Sequence, residues 1–408
     1  MEMTKTNMHM KRLTSNAARQ DLGLYIHIPF CIKKCDYCDF LSAPAKEETI
    51  RQYVRALITE IKSYAGSLEN YLVPTIFLGG GTPSSIDPSY IKEILAAVFE
   101  TFPIDSARLE ATIEANPGTV CRKKLMIYRG AGINRLSFGL QSTDDKELRL
   151  LGRIHTYQQF LENYNLAREL GYDNINIDLI SALPGQTIES WEQTLHRTVD
   201  LRPEHISAYS LIIEEGTPFY ARYAEDATQN AQLPDEESDR RIYHRTGEIL
   251  AEYGYHRYEI SNYAQEGCES RHNISYWTGT QYLGLGLGAA SLFQGTRFHN
   301  RTDIEQYISG WNDYENTGKL TADMRREVEK LSLKCRMEEF MFLGLRMCRG
   351  VSRKEFQERF QSSMDSVYAN VLRQLREDKL LVIEGDRLYL TDYGIDISNY
   401  VLSQFLLD

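Results

Sequence analysis

The chain has no apolar run approaching the 18 or more residues that a membrane-spanning helix requires. Its first 21 residues lack the apolar core of a secretory signal. An excess of positive charge is missing too: 46 Lys+Arg stand against 57 Asp+Glu, a net −11. That excludes a protein whose main task is to coat nucleic acid, while leaving room for a local basic patch. Nor is there the even, spaced cysteine set of a small secreted scaffold, because the seven cysteines are an odd number in a long chain. Apolar residues at 42% and charged ones at 25% exclude wholesale disorder. What is left is a soluble intracellular protein, expected in the cytoplasm, with chain enough for roughly two or three domains. Residues 1–21 read as a flexible tail, although Lys5, Lys11, Arg12 and Arg19 with one acid before Asp21 also fit a transit peptide.

Beyond the tail, short β-branched runs alternate with helical patterns. Strands are expected at 24–28, 75–78, 111–114, 135–138, 174–180 and 205–212. Between the first two, Ile50, Tyr53, Val54, Leu57, Ile58, Ile61 and Tyr64 form one helical stripe. Further helices are expected at 90–99, 157–170, 188–199 and 242–253, then a short strand at 257–260, after which the stretch to about residue 300 reads as a loop rich in Gly, Tyr and Asn. About six strand–helix alternations imply an α/β fold with a parallel sheet. Periodicity leaves open whether the sheet closes as a barrel or lies doubly wound. Polar residues gather at strand C-termini (His27, Thr82, Glu114 with Asn116, Gln141, Asp178), the edge where parallel α/β folds bind ligands. Near residue 325 the pattern changes to three helices and a hairpin, resembling a winged-helix module. Its third helix mixes Arg373 and Arg376 with Asp365, Glu377 and Asp378, so it lacks a DNA reader's basic face.

Three cysteines fall within eight residues, Cys31-Ile-Lys-Lys-Cys35-Asp-Tyr-Cys38, directly after the first strand. Three thiolates from one loop can hold three irons of a [4Fe–4S] cube and leave the fourth iron open. Lys33 and Lys34 are expected to favour thiolate over thiol. Zinc is the plainer alternative, yet it normally takes four closed ligands, and no second C-x-x-C pair exists here.

This C-x3-C-x2-C loop, with Tyr37 before its last cysteine, resembles the signature of radical S-adenosylmethionine (SAM) proteins. The flanking Tyr25-Ile-His-Ile-Pro-Phe30 and Asp39-Phe40 narrow the resemblance to the oxygen-independent coproporphyrinogen III oxidases and the HemW-type haem chaperones. The likeness runs through motifs over nearly the whole chain. It implies an incomplete (βα)6-type radical SAM barrel over 22–265, a connecting region over 266–324, and a C-terminal helical, winged-helix-like module over 325–408. It also implies a [4Fe–4S] cluster on Cys31, Cys35 and Cys38, with SAM on its open iron. By the same resemblance Gly80, Gly81 and Thr82 of Leu78-Gly-Gly-Gly-Thr-Pro83 hold the methionine end, a turn whose missing side chains let backbone approach. Glu114 and Gln141 take the ribose, Arg153 the SAM carboxylate, and Asp178 and Tyr25 complete the set. Taken singly, each of these residues reads equally well as an ordinary polar position.

Two functions from different classes remain. One is oxidative decarboxylation of coproporphyrinogen III; the other is binding haem and delivering it to acceptor haemoproteins. Phe40 stands where the oxidases carry a further cysteine, only 24 residues precede Tyr25, and His272-Asn-Ile-Ser-Tyr-Trp277 resembles the chaperones' H-N-x-x-Y-W motif. The chaperone is therefore expected, with little or no coproporphyrinogen oxidation. The resemblance gives haem contact to this motif, with His272 a candidate axial ligand and Tyr276 and Trp277 as stacking partners. A lone loop histidine is more often just a polar residue, and His27, His155, His299 and Cys268 are alternative ligands. Family resemblance also implies a respiratory acceptor and peripheral membrane contact at most, with no nucleic acid. A radical SAM enzyme acting on RNA or a peptide fits the acidic charge poorly.

Overall fold

A computed structural model describes residues 19–407, so most of the expected N-terminal tail, residues 1–18, lies outside the described residues. The first half alternates strands with helices, two of them between β4 and β5: β1 (Gln20–Ile28), α1 (Glu47–Ser63), β2 (Tyr71–Gly80), α2 (Pro88–Thr101), β3 (Glu110–Ala115), α3 (Arg122–Gly130), β4 (Arg135–Gln141), α4 (Asp145–Leu150), α5 (Tyr157–Glu169), β5 (Ile175–Ser181), α6 (Ile188–Val199) and β6 (His205–Ser210). The strands β1 to β6 lie side by side in chain order and all run parallel. Sequential order, with no reversal, is the winding of a barrel rather than of a doubly wound sheet. This settles what periodicity left open.

Local chemistry fixes the helix ends. Asp87 caps α2 ahead of Pro88. Reciprocal capping boxes, Thr156 with Gln159 and Thr187 with Ser190, start α5 and α6. On β1 the alternation is clean. Leu22, Leu24, Ile26 and Ile28 are fully buried in one core with Val54, Leu57 and Ile61 of α1, while Tyr25 and His27 occupy the other face.

Next come α7 (Pro218–Tyr223), α8 (Glu236–Glu252), β7 (His256–Arg257), β8 (Asn262–Ala264), α9 (Arg271–Trp277), β9 (Gln281–Leu285), β10 (Ala290–Phe293), β11 (Thr296–Asn300), α10 (Ile304–Thr317) and β12 (Arg325–Lys330). The stretch expected to be loop to residue 300 thus holds a helix and several strands. β9 pairs parallel with β1, and β10, β11 and β12 continue the sheet antiparallel; β8 and β7 extend its other end. One twelve-stranded sheet results, with β12 and β7 at its two edges. The 266–324 region is therefore part of the barrel sheet rather than a separate connector.

The β9–β11 extension is tied to α1 by a buried carboxyl. Glu60 accepts from Gly286 N, Asn300 Nδ2 and Tyr307 Oη, and burial pushes its pKa up to about 7. Gly286 sits at φ +101, where a Cβ would lie 2.5 Å from Tyr53 Oη and 2.7 Å from His27 O, so this turn packs only as glycine.

The C-terminal module begins after β12, later than residue 325. It comprises α11 (Leu333–Gly344), β13 (Val351–Ser352), α12 (Arg353–Phe360), α13 (Met364–Glu377), β14 (Leu381–Glu384), β15 (Arg387–Leu390), α14 (Asp392–Asp396) and α15 (Ser398–Ser403). Three helices with a β13-β15-β14 sheet give the winged-helix shape around its own core of Met341, Phe356, Leu372 and Leu388.

Candidate functional site

The cysteine loop leaves the C-terminal end of β1 and is anchored on both sides. Its backbone bonds back to itself through Ala43 N to Pro29 O at 3.0 Å and Cys31 N to Ala43 O at 3.3 Å. Behind it, His27 Nε2 donates to Leu41 O at 2.9 Å, which leaves Nδ1 to accept from Tyr25 Oη at 2.9 Å. Burial lowers the His27 pKa, so the ring is a neutral strut. On the opposite side Asp36 N donates to Leu151 O at 3.1 Å, and the Asp36 carboxylate pairs with Arg222 of α7. All three thiols are free and only half-buried. Burial pushes the Cys31 and Cys38 thiols up, and the opposing charge of Lys34 is the smaller effect. The expected lysine activation is therefore outweighed in the metal-free protein.

A cavity of about 470 Å³ opens beside these thiols, within the range of small-molecule sites. Each parallel strand contributes its inward residues at the C-terminal end, which is why residues so far apart in sequence meet here. Cys31, Cys35, Cys38, Gly80, Gly81, Thr82, Glu114, Gln141, Arg153 and Asp178 all line this cavity. Tyr25 does not: it sits one layer deeper, packed on Phe77 and bonded to His27, so it supports the loop from behind.

The glycine turn is tight for a visible reason. Gly80 has φ +114, and a Cβ there would meet the His27 ring at 2.5 Å; a Cβ on Gly81 would lie 2.6 Å from Phe30 O. Because that neighbour is backbone, Gly81→Ala must displace the turn. We expect the variant to keep its cysteine loop and its cluster iron yet lose SAM affinity by about tenfold or more, read by equilibrium dialysis. Wild-type SAM affinity would count against the turn as a cradle.

Glu114 Oε2 accepts from Gly80 N at 3.1 Å. Burial, and then the Asp178 carboxylate, push its pKa up to about 8. Burial likewise raises Asp178, which accepts from Ser137 Oγ at 3.0 Å and Asn176 Nδ2 at 2.8 Å. Asn176 in turn holds His205 Nδ1 at 2.6 Å, and His205 Nε2 meets Tyr258 Oη at 2.8 Å. Sequence reasoning missed Ser137, Asn176 and His205. Counting inward positions in steps of two from Asp178 and Gly139 would have found the first two.

A carboxyl whose folded pKa lies above its unfolded value contributes stability that is present below the ordinary carboxyl range and is lost as pH rises through the folded pKa, here about 8. SAM-free protein is therefore expected to lose thermal stability between pH 5.5 and 8.5, by on the order of a few kcal/mol. Glu114→Gln should flatten that slope; an unchanged slope in this variant would contradict the assignment.

Several buried polar atoms around the cavity have no partner: Asn116 Oδ1, Gln141 Oε1 and Arg153 Nε. Gln141 also sits at φ +74, a left-handed backbone rare for a residue with a side chain. Arg153 is spread between Gly139 O at 2.5 Å and Cys35 Sγ at 3.5 Å. Orphaned donors and acceptors beside three free thiols fit a thiolate-held cluster with a polar amino-acid nucleoside next to it. Among the described residues no three His, Cys, Asp or Glu side chains converge on one ion.

His272 is placed elsewhere. It begins α9, which closes the opposite end of the barrel from the cysteines. The side chain is 1% exposed. Its Nδ1 meets Thr75 Oγ1 at 3.0 Å, its Nε2 meets Tyr276 Oη at 3.0 Å, and the ring stacks on Phe77 at 5.2 Å. Burial and the Arg135 charge lower its pKa to about 3. Both ring nitrogens are therefore bonded to hydroxyls, one as donor and one as acceptor. Trp277 lies under Arg346 at 4.5 Å, so it serves docking of the C-terminal module. Of the alternative ligands, His27 is the strut already described. Both ring nitrogens of His155 are unpartnered but buried.

The family model of the radical SAM superfamily matches residues 25–198, and that of the HemN C-terminal domain matches residues 331–397. Heme chaperone HemW of Bacillus subtilis (strain 168) is 36% identical over 385 residues, 94% of this chain and 98% of that protein. Heme chaperone HemW of Lactococcus lactis subsp. lactis (strain IL1403) is 35% identical over 384 residues, 94% and 97% of the two chains. The solved structure of coproporphyrinogen III oxidase (HemN) from Escherichia coli, a radical SAM enzyme, superposes with a TM-score of 0.79 at 24% identity. It covers 96% of this chain and 91% of its own, a likeness of fold. The chain belongs to the HemW family of radical SAM proteins, a family to which SAM and a [4Fe–4S] cluster belong.

Proposed function

We propose that the protein is a haem chaperone, which binds haem and hands it to acceptor haemoproteins from a scaffold carrying a [4Fe–4S] cluster and SAM. The observation that carries this reading is end-to-end similarity to proteins named heme chaperone, with 98% of the Bacillus subtilis chain covered. Cys31, Cys35 and Cys38 would hold the cluster, and a bound cluster supplies a single electron at the SAM sulfonium. Gly80, Gly81 and Thr82 would present backbone to the methionine end. The acceptors Glu114 and Gln141 suit ribose hydroxyls, and the Arg153 fork suits the carboxylate. Asp178, fixed by Ser137 and Asn176, would present a polar wall to the nucleoside.

Phe40 supports the chaperone over the oxidase, since by the resemblance it stands where the oxidases carry a further cysteine. Among the described residues no helix is long and apolar enough to cross a membrane, so a membrane-bound respiratory acceptor would be met from the surface. The reading is tested by anaerobic assays run side by side on cluster-loaded protein. Haem transfer to a haem-free acceptor protein, without turnover of coproporphyrinogen III in the presence of SAM and reductant, is the expected result. Multiple turnovers of coproporphyrinogen III would overturn it.

A further inference from the structure

Three strands build a buried polar chain beneath the cavity. On β5, Asn176 and Asp178 are two positions apart and so share the inward face. Register sets Ser137 of β4 beside Asn176, and on the other side His205 of β6 beside Asn176 and Ser207 beside Asp178. Ser137 and Asp178 reach the cavity wall. Asn176 and His205 lie below it, and His205 is 0% exposed. Tyr258, between β7 and β8, closes the chain at its outer end. Its backbone is held on both sides: the N–H donates to Asn262 O at 3.2 Å, and the carbonyl accepts from Cys348 N of the C-terminal module at 2.9 Å.

A consistent assignment of protons runs inward from Tyr258. Ser270 N donates to Tyr258 Oη at 3.3 Å, which leaves the phenol proton for His205 Nε2 at 2.8 Å. The His205 proton then sits on Nδ1 and points at Asn176 Oδ1, 2.6 Å away. Ser207 Oγ donates to the same oxygen at 3.1 Å. Two donors on Oδ1 fix the amide, so that Nδ2 faces Ser137 Oγ at 2.7 Å and Asp178 Oδ1 at 2.8 Å. Ser137 accepts there and sends its own proton to Asp178 Oδ2 at 3.0 Å. Both Asp178 oxygens therefore accept, as a carboxylate requires, whereas a flipped amide would turn an oxygen toward them. Burial and the Arg135 charge hold the His205 pKa well below its ordinary value. The ring is thus neutral, which its one-donor, one-acceptor part demands.

We infer that His205 and Tyr258 are positioning residues for SAM: through Asn176 they orient the Asp178 carboxylate as an acceptor for the nucleoside, without reaching the cavity themselves. A carboxylate already held by fixed donors needs no reordering when ligand hydroxyls arrive. The inference rests on the placement of Asp178 at SAM made under the proposed function, and it extends that site two residues deeper into the barrel.

The test uses cluster-loaded full-length protein and two ligands, SAM and methionine alone. Tyr258→Phe, which removes a single oxygen, is expected to weaken SAM binding about fivefold, and His205→Phe about tenfold. His205→Gln, whose amide can donate to Asn176 and accept from Tyr258, should restore most of the affinity. Methionine affinity, read from the EPR signal of the reduced cluster, should match the wild type in all three variants. In an Asp178→Ala background, His205→Phe should cost nothing further. Wild-type SAM affinity in both Tyr258→Phe and His205→Phe would overturn the inference. So would an equal loss of methionine affinity, the mark of a merely structural role, or full additivity with Asp178→Ala. Tyr258→Phe keeps the test decisive if His205→Phe does not fold. Wild-type SAM affinity in Asp178→Ala would overturn the placement of Asp178 and the inference with it. An absence of SAM binding by the wild type would overturn the SAM site as a whole.

Discussion

Replacing any one of Cys31, Cys35 or Cys38 with alanine is expected to remove essentially all cluster iron and labile sulfide while leaving the barrel folded. The thiols are half-buried on a loop, not in the core, so losing one sulfur removes little packing. What fastens the loop is independent of them: the Ala43–Pro29 and Cys31–Ala43 backbone bonds, the His27–Leu41 bond and the Asp36–Arg222 pair. A cube with one open iron has no spare protein ligand, so two thiolates are not enough. The check is iron and sulfide analysis after anaerobic reconstitution, with circular dichroism as the folding control. Full iron and sulfide in any single variant would sink the assignment.

His272→Ala is expected to behave as a core mutation. Removing the ring leaves a cavity against Phe77 and strips partners from buried Thr75 and half-buried Tyr276. A loss of about 3 kcal/mol follows from the cavity and the unpaired hydroxyls together. Urea unfolding measures it, and the fraction that stays folded should keep haem affinity near that of the wild type. A variant of wild-type stability with haem binding abolished would restore the histidine as a ligand. In the H-N-x-x-Y-W pattern a histidine and an aromatic at i and i+4 of α9 read as ligand and stacking face; in the fold His272 and Tyr276 are bonded to each other and His272 packs on β2. Nothing in the local sequence distinguishes the two, because the difference lies in β2, which supplies Thr75 and Phe77.

The six parallel strands were legible because each is a short β-branched run followed by an amphipathic helix, and that alternation forces the parallel sheet. The polar residues at their C-terminal ends could be gathered into one site for the same reason: sequential parallel strands bring those ends to one rim. Legibility failed between residues 262 and 300. There β9, β10 and β11 are four or five residues long, and Gly284 and Gly286 break their alternation. Tyr25 was placed at SAM because it precedes the cysteines on β1. The pleat puts it on the right face but one layer too deep, under His27.

The most direct measurement is a haem titration of the anaerobic, cluster-reconstituted protein, followed by absorption to its endpoint. Haem adheres to many apolar surfaces, so the shape of the curve decides. A sharp, saturable, stoichiometric endpoint is the predicted result. A continuous rise without saturation would contradict the chaperone.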